Sequence, residues 1–241
     1  MSGGEVSSGK RSGGRIVLFA AAGGFLLFLA VAMFLPSKMG PVYRPFRVPS
    51  VAMKPTLGIG ARVTVSRAAY GYSRYSFDFV QLPIEGRWPA GWLPERGDVA
   101  VFRLPRNHKV FYISRVIGLP GDRIQMVAGV LNINGVPVPQ ERAGEAVETV
   151  RCTYRNQRLP VPQYRETLPN GRSYLIQKIS EICTDDWRSA ANNTEVFAVP
   201  AGHYFMMGDN RDDSADSRLP AAAGVGYVPA ELISGRMVAV R

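Results

Sequence analysis

The residues with chemical potential fall in two stretches, Pro49-Ser50-Val51-Ala52-Met53-Lys54-Pro55-Thr56-Leu57 and Gly208-Asp209-Asn210-Arg211-Asp212-Asp213-Ser214-Ala215-Asp216-Ser217-Arg218. Nucleophilic catalysis needs a hydroxyl or thiol beside a base that takes its proton. The first stretch has Ala52 at its centre, and a methyl group has no lone pair with which to attack a carbonyl. Lys54 stands two residues further on, a spacing that puts both side chains on one face of an extended segment. In the second stretch Asp209, Arg211, Asp216 and Arg218 alternate in sign within a Gly-led turn. That pattern fits either ion pairs that brace a site or a solvated charged loop.

Other chemistries find less support. His108 lies six residues from Ser114 along a predicted strand, and neither His108 nor His203 has an evident carboxylate to orient it, so a serine-histidine arrangement is disfavoured. Cys152 and Cys183 have no short paired spacing, with each other or with the histidines, so no metal site and no cofactor is expected. In an oxidising compartment the two cysteines could pair, which the chain-entropy model values at about 3 kcal/mol; two separate buried thiols fit the sequence equally well. The formal charge of +10 is spread along the chain without a helix-turn-helix, zinc-finger or RNP pattern. Nucleic acid is therefore not an expected partner, and anionic membrane lipid is the simpler one.

The elements that must position these residues begin at the membrane. Residues 1–15 are rich in Gly and Ser and should form a disordered cytoplasmic tail. Ile16 to Leu35 contains twenty residues without a charge, about 30 Å of helix and enough to span the hydrocarbon. Lys10, Arg11 and Arg15 precede it, which keeps the N-terminus cytoplasmic and sends residues 36–241 outward. Ala30-Val31-Ala32 has the form of an export-signal cleavage site, but the apolar run continues through Met33, Phe34 and Leu35, so a permanent anchor is expected. After Pro36, short β-branched and aromatic runs broken by Gly and Pro predict a mainly β domain. The predicted strands are 63–65, 99–102, 111–117, 124–127, 130–133, 173–179, 196–199, 204–207 and 236–240, with tight hairpin turns at Asn134-Gly135 and Asn170-Gly171. The aromatic stretch Tyr70 to Phe79 reads as a membrane-interface loop or as a core-packing segment.

Five segments, in order along the chain, resemble bacterial signal peptidase I. The apolar anchor is one and Pro49 to Leu57 is another, matching the family's Pro-Ser-x-Ser-Met-x-Pro-Thr-Leu except where Ala52 stands for the second serine. Arg96-Gly97-Asp98-Val99-Ala100-Val101-Phe102 is similar to its Arg-Gly-Asp strand, and Tyr112 to Asp122 to its Lys-Arg-x-x-Gly-Leu-Pro-Gly-Asp segment. Gly208 to Arg218 matches its Gly-Asp-Asn-Arg-Asp-x-Ser-x-Asp-Ser-Arg signature at every specified position.

The resemblance implies a signal peptidase I-like β domain behind one transmembrane helix in the bacterial inner membrane, facing the periplasm. It implies as partners the signal peptides of exported precursors, which the family cuts after small-x-small sites, and an active signal peptidase as a further partner. It also implies which residues matter. The family's nucleophile is a serine at the position of Ala52, and its general base is a lysine at the position of Ser114, kept neutral by burial. Both are substituted here. Ser50 corresponds to the serine that helps the backbone N–H at position 52 hold an oxyanion, and Ser214 to the serine that orients the lysine. Asp209, Arg211, Asp216 and Arg218 are the bracing charges. Loss of the nucleophile alone removes most of such a site's power, so a non-cleaving peptide holder is expected. The alternatives are cleavage through Ser50 or Ser114 with Lys54 as base, and an engineered inactive form; Ser114 weighs against the latter, since a designed knockout would usually be alanine.

Overall fold

Val99–Leu104 is buried at every position, which a strand achieves only in the middle of a sheet covered on both faces. The computed structural model of the chain describes residues 42–78, 80–152, 155–183 and 191–241, and Tyr43–Arg241 forms one compact unit. Its first strands are β1 (Tyr43–Arg47), β2 (Arg62–Ser66), β3 (Tyr72–Ser73), β4 (Arg87–Trp88), β5 (Val99–Leu104), β6 (Asn107–Gly118), β7 (Arg123–Val127) and β8 (Val130–Ile133). They are followed by β9 (Val136–Pro137), β10 (Gln140–Cys152), β11 (Arg155–Thr167), β12 (Ser173–Gln177), β13 (Phe197–Ala198), β14 (His203–Met207), β15 (Val228–Pro229) and β16 (Ile233–Val240). Among the described residues the helical content is two 3-10 turns, Ala68–Tyr70 and Ala230–Leu232, so the mainly β reading holds.

The main sheet runs β1-β2-β16-β5-β6-β14-β15. Two of its edges matter for function. Among the described residues β1 pairs only with β2, and β6 meets β14 only from Arg115 to Gly118, although its other side pairs with β5 along most of its length. Among the described residues the outer edges of β1 and of residues 107–114 of β6 are therefore without a strand partner. Smaller sheets run β13-β7-β8-β9 and β10-β11-β12.

Alternation explains the cores. In β2 Val63 and Val65 turn inward, and with Val48, Met53, Leu57, Val99 and Val101 they make one apolar cluster. Ile124 and Met126 of β7 join Leu131, Ile133, Ile176 and Phe205 in a second. The Asn134-Gly135 turn has both residues at positive φ and joins β8 to β9 by a two-residue hairpin with Ile133 opposite Val136. The Asn170-Gly171 turn is longer: Leu168 and Arg172 close a loop of Pro169 to Gly171, with Gly171 at positive φ.

The aromatic stretch folds inward. Tyr70 is buried and its hydroxyl donates to Asp98 Oδ2 at 2.8 Å, Tyr75 packs on the core, and Tyr72 stacks on Phe77. Phe79 lies outside the described residues, as do the predicted tail 1–15 and membrane span 16–35. No helix of the described residues is long and apolar enough to cross a membrane.

β10 and β11 pair over their full lengths as one long hairpin. Its inner face packs Val150 and Val161 on Ile179, and Cys152 is disulfide-bonded to Cys183 across a separation of 31 residues. Replacing both cysteines by serine should lower unfolding free energy by about 3 to 4 kcal/mol, the chain-entropy value for a loop of this length. The check is urea denaturation of the variant beside the unreduced protein.

Candidate functional site

The segment after β1 is not extended. Residues 51–57 form consecutive turns, with Lys54 N–H donating to Val51 O at 3.0 Å and Leu57 N–H to Met53 O at 2.8 Å. This corrects the same-face argument for Ala52 and Lys54, which needs a strand's period of two. In a turn closed by an i to i+4 bond, Met53 and Leu57 share a side, and both are buried in the cluster beneath. Burying two such side chains is worth about 1.5 to 3 kcal/mol each. The turn is thereby pinned to the core with Ala52 at its rim.

Ala52 faces a cavity of about 540 Å³. Ser50, Ala52, Ser114 and Ser214 all line it, and Phe46, Val48, Val101, Phe111 and Ile113 give it apolar walls. Residues 46–48, at and just after the end of β1, and residues 110–114 of β6 both contribute to its lining, with the Phe46 and Phe111 rings 5.3 Å apart. The Ala52 N–H points to Ser50 Oγ at 3.5 Å. Ser114 is buried, and its hydroxyl donates to Ile113 O at 2.8 Å. Gly208 separates Ser214 from the Ala52 carbonyl so closely that an added Cβ would collide with both.

The charged loop is buried rather than solvated. Asp209 accepts two bonds from Arg115, from Nε at 2.8 Å and Nη2 at 2.6 Å, and a third from the Thr56 hydroxyl at 2.5 Å. Asn210 donates its N–H to Ala52 O at 3.0 Å and its Nδ2 to Val51 O at 3.2 Å. Arg218 forks onto Asp216, Nε and Nη2 each at 2.9 Å, and also donates to Arg211 O. Arg211 pairs with Glu166, which also accepts from Tyr174 and from Gln140 Nε2 at 2.8 Å. The Arg115 guanidinium lies 3.9 Å over the Tyr174 ring. Of the four bracing charges only Asp216 and Arg218 pair with each other.

Glu166, Tyr174 and Gln140 were invisible in the sequence as site supports. Glu166 sits among many polar residues of β10 and β11, and nothing in its own neighbourhood marks it as buried. Burial alone would push its carboxyl up; the Arg211 charge and the hydrogen bonds from Arg211, Tyr174 and Gln140 outweigh that and hold it below its ordinary value.

The substitute bases lie elsewhere. Lys54 Nζ is held by Glu148 Oε2 at 2.5 Å, and Lys54 is not part of the cavity wall. Burial lowers the Lys178 ammonium's pKa, but that amine donates to Gln140 Oε1 and sits over Tyr164. His108 packs edge-on against Tyr75 and His203 Nδ1 contacts Ala201 O; neither lines the cavity with Ser114. Among the described residues no group of three or more His, Cys, Asp or Glu side chains could hold a metal.

Residues 20–241 match the family model described as signal peptidase, peptidase S26. The chain belongs to that family. The signal peptidase I of Rickettsia massiliae is 38% identical over 212 residues, 87% of this chain and 74% of the relative, and that of Rickettsia akari is 41% identical over 193 residues, 79% and 68%. A crystal structure of a signal peptidase I from Enterococcus faecalis is 24% identical and covers 60% of this chain at a TM-score of 0.33. Membership in a signal peptidase family carries a role in signal-peptide processing and makes signal peptides the expected ligands of this chain.

Two outcomes test the supports of the cavity in this peptidase-family chain. Glu166→Gln leaves the buried Arg211 charge without its counter-ion and should cost about 3 to 5 kcal/mol. The parent's own stability from this pair is fully present above the ordinary Glu range near about 4.3 and is lost as pH falls through the depressed folded value; urea midpoints measured from pH 6 downward should fall in the parent and show a smaller decline in the variant. Gly208→Ala should cost about 1 to 3 kcal/mol by overpacking, read by thermal or urea unfolding.

Proposed function

We propose that this chain holds signal peptides of exported precursors in the groove between β1 and β6 without cutting them. One observation carries the reading. Ala52 and Ser114, the residues at the positions where the family resemblance puts nucleophile and base, line one cavity together with Ser50 and Ser214. On this reading a scissile bond would lie in the cavity with neither an oxygen at 52 nor an amine at 114 to attack it. A hydroxyl bound to a carbonyl cannot stand in for a neutral amine, because its own conjugate acid is far too strong.

The groove supports peptide binding. A chain laid between two unpartnered strand edges gains backbone hydrogen bonds from both, and the alternate side chains fall into the apolar pockets between them. Small side chains suit pockets lined by Val48, Val101 and Ile113. The Asp209, Arg211, Asp216 and Arg218 contacts serve to hold the rim of this groove. The remaining domain reading belongs to the same proposal: a cytoplasmic tail over 1–15, a membrane helix over 16–35, and residues 36–241 on the outer side of the bacterial inner membrane. There the chain would meet membrane lipid and an active signal peptidase.

Cleavage through Lys54 with Ser50 or Ser114 is the other functional reading, and the Lys54–Glu148 ion pair weighs against it. A paired restoration tests the proposal. The parent should show no cleavage of a precursor over the uncatalysed rate, and the double variant Ala52→Ser with Ser114→Lys should gain it, measured by gel-resolved processing in detergent. Cleavage by the parent itself would sink the non-cleaving reading, and a folded but inert double variant would show that 52 and 114 are not the reacting pair.

A further inference from the structure

We infer that two copies of this chain associate edge to edge through β10, antiparallel, in the register that sets Glu145 of each copy opposite Arg151 of the other. No β10 residue lines the cavity, so the contact leaves the groove open on both copies and does not depend on what the groove holds.

β10 is the outer strand of its sheet. Among the described residues it pairs only with β11, so one side of this 13-residue strand carries backbone N–H and C=O groups with no strand opposite them. Native edges of this kind are commonly blunted, and a bulge between Arg142 and Gly144 does so at one end. Beyond the bulge, residues 145–151 stay in step with β11 throughout. Their outward row is Glu145, Val147, Thr149 and Arg151, all exposed, with Val147 at 65%. A flat, regular edge with an uncovered valine between two charges is suited to a partner strand.

Charge selects a copy of the same strand as that partner. β10 holds three glutamates and two arginines, a net −1 on a chain of +10, so two basic chains can approach there without opposing like basic charge. Alternate residues of an edge strand turn their N–H and C=O outward, and an antiparallel copy therefore fits only where residues of the same parity face each other. One such register opposes Glu145 to itself and another opposes Arg151 to itself, each a like-charge pair. Setting Val147 against itself leaves Glu145 opposite Thr149 and Arg151 opposite Ala143 at the bulge. With Glu145 opposite the partner's Arg151, two ion pairs form, one at each end, and Val147 faces the partner's Thr149 on both sides of the two-fold axis.

The groups already near these side chains permit the exchange. Glu145 meets Arg142 of its own chain at 4.0 Å, with the side chains 51% and 54% exposed, a contact worth little in water. Arg151 has five N–H donors and can take a further carboxylate beside its contacts within the chain. The residue on the axis is Glu148, on the inner face. Two carboxylates opposite each other repel, but each is matched by its own Lys54 at 2.5 Å. The joined edges turn two three-stranded sheets into one continuous sheet.

The full chain in detergent tests this. Cys152 and Cys183 are joined to each other, so a single added thiol reports its own neighbours. Val147→Cys and Thr149→Cys chains, one tagged to differ in size, are mixed, oxidised and read on a non-reducing gel. The mixed link should exceed either self-link about threefold or more, since only it joins residues directly opposite each other. By sedimentation over a concentration series, Glu145→Arg and Arg151→Glu should each lower the association constant about tenfold, while an equimolar mixture of the two variants should regain it, because opposite charges then meet at both ends. Lys54→Ala, which leaves the two Glu148 carboxylates without counter-ions, should weaken association as well. If Arg151→Glu fails to fold, as thermal unfolding would show, the thiol register decides alone. A parent that stays monomeric and unlinked, self-links that match the mixed one, or folded charge variants that associate like the parent would each overturn the inference and leave the peptide-holding reading untouched.

Discussion

The carboxylate of Asp209 is the point at which three separate parts of the chain become one site. It takes two bonds from Arg115 of β6 and one from Thr56 of the turn that follows β1. Its neighbour Asn210 holds the Val51 and Ala52 carbonyls. A single buried anion therefore fixes the turn that carries residue 52 against the strand that carries residue 114. Its burial makes the arrangement unforgiving, because a charge taken out of water is tolerable only while all its acceptor positions are filled. The apolar contribution is of a different kind. Met53 and Leu57 anchor the same turn from below, without direction, and the hydrogen bonds give it orientation.

A second carboxylate repeats the device one layer further out. Glu166, on β11, takes Arg211, Tyr174 and Gln140 together, while Tyr174 lies against the Arg115 guanidinium. The loop is thus held on one side by the main sheet and on the other by the long hairpin's sheet. The disulfide secures the hairpin at its far end, and the Lys54–Glu148 pair joins it to the turn beside Ala52. Displacement of the hairpin would be felt at the cavity rim through two ion pairs, which ties the smaller sheet to the site without contributing a wall to it.

The sequence showed the centre of the main sheet, and β7 of the smaller one, because these strands bury one or both faces and so carry β-branched runs or clean alternation, as in β2, β5 and β7. The hairpin was missed for the converse reason. β10 and β11 are largely exposed, rich in Glu and Arg, and β11 contains Pro160 and Pro162, all of which argue against strand when neighbours are unknown. The same gap hid Glu166. In the site, Ser50, Ala52, Ser114 and Ser214 were legible as a group only through the family's motifs, since nothing in their spacing brings residues 52 and 114 together. The turn at 51–57 was misread as extended. The i to i+4 closure depends on Met53 and Leu57 sharing a buried side, and that is a fact of packing.

The presence of Ala52 and Ser114 is compatible with an undisturbed frame for a physical reason. Neither side chain takes part in the Asp209 or Glu166 networks, which reach residue 52 only through its backbone carbonyl, so neither residue type leaves a buried charge without a partner. Ser114 is buried and satisfies its own hydroxyl on the Ile113 carbonyl, whereas an amine in that place would have to be desolvated and kept neutral at a cost in folding free energy. Reactive sites are commonly bought at the expense of stability, so their removal is expected to be neutral or favourable for the fold. The networks around Asp209 and Glu166 have the opposite property, since breaking either one strands a buried ion. Side chains at 52 and 114 can therefore change without touching a buried ion pair, while any single loss within the two networks weakens the frame that shapes the groove.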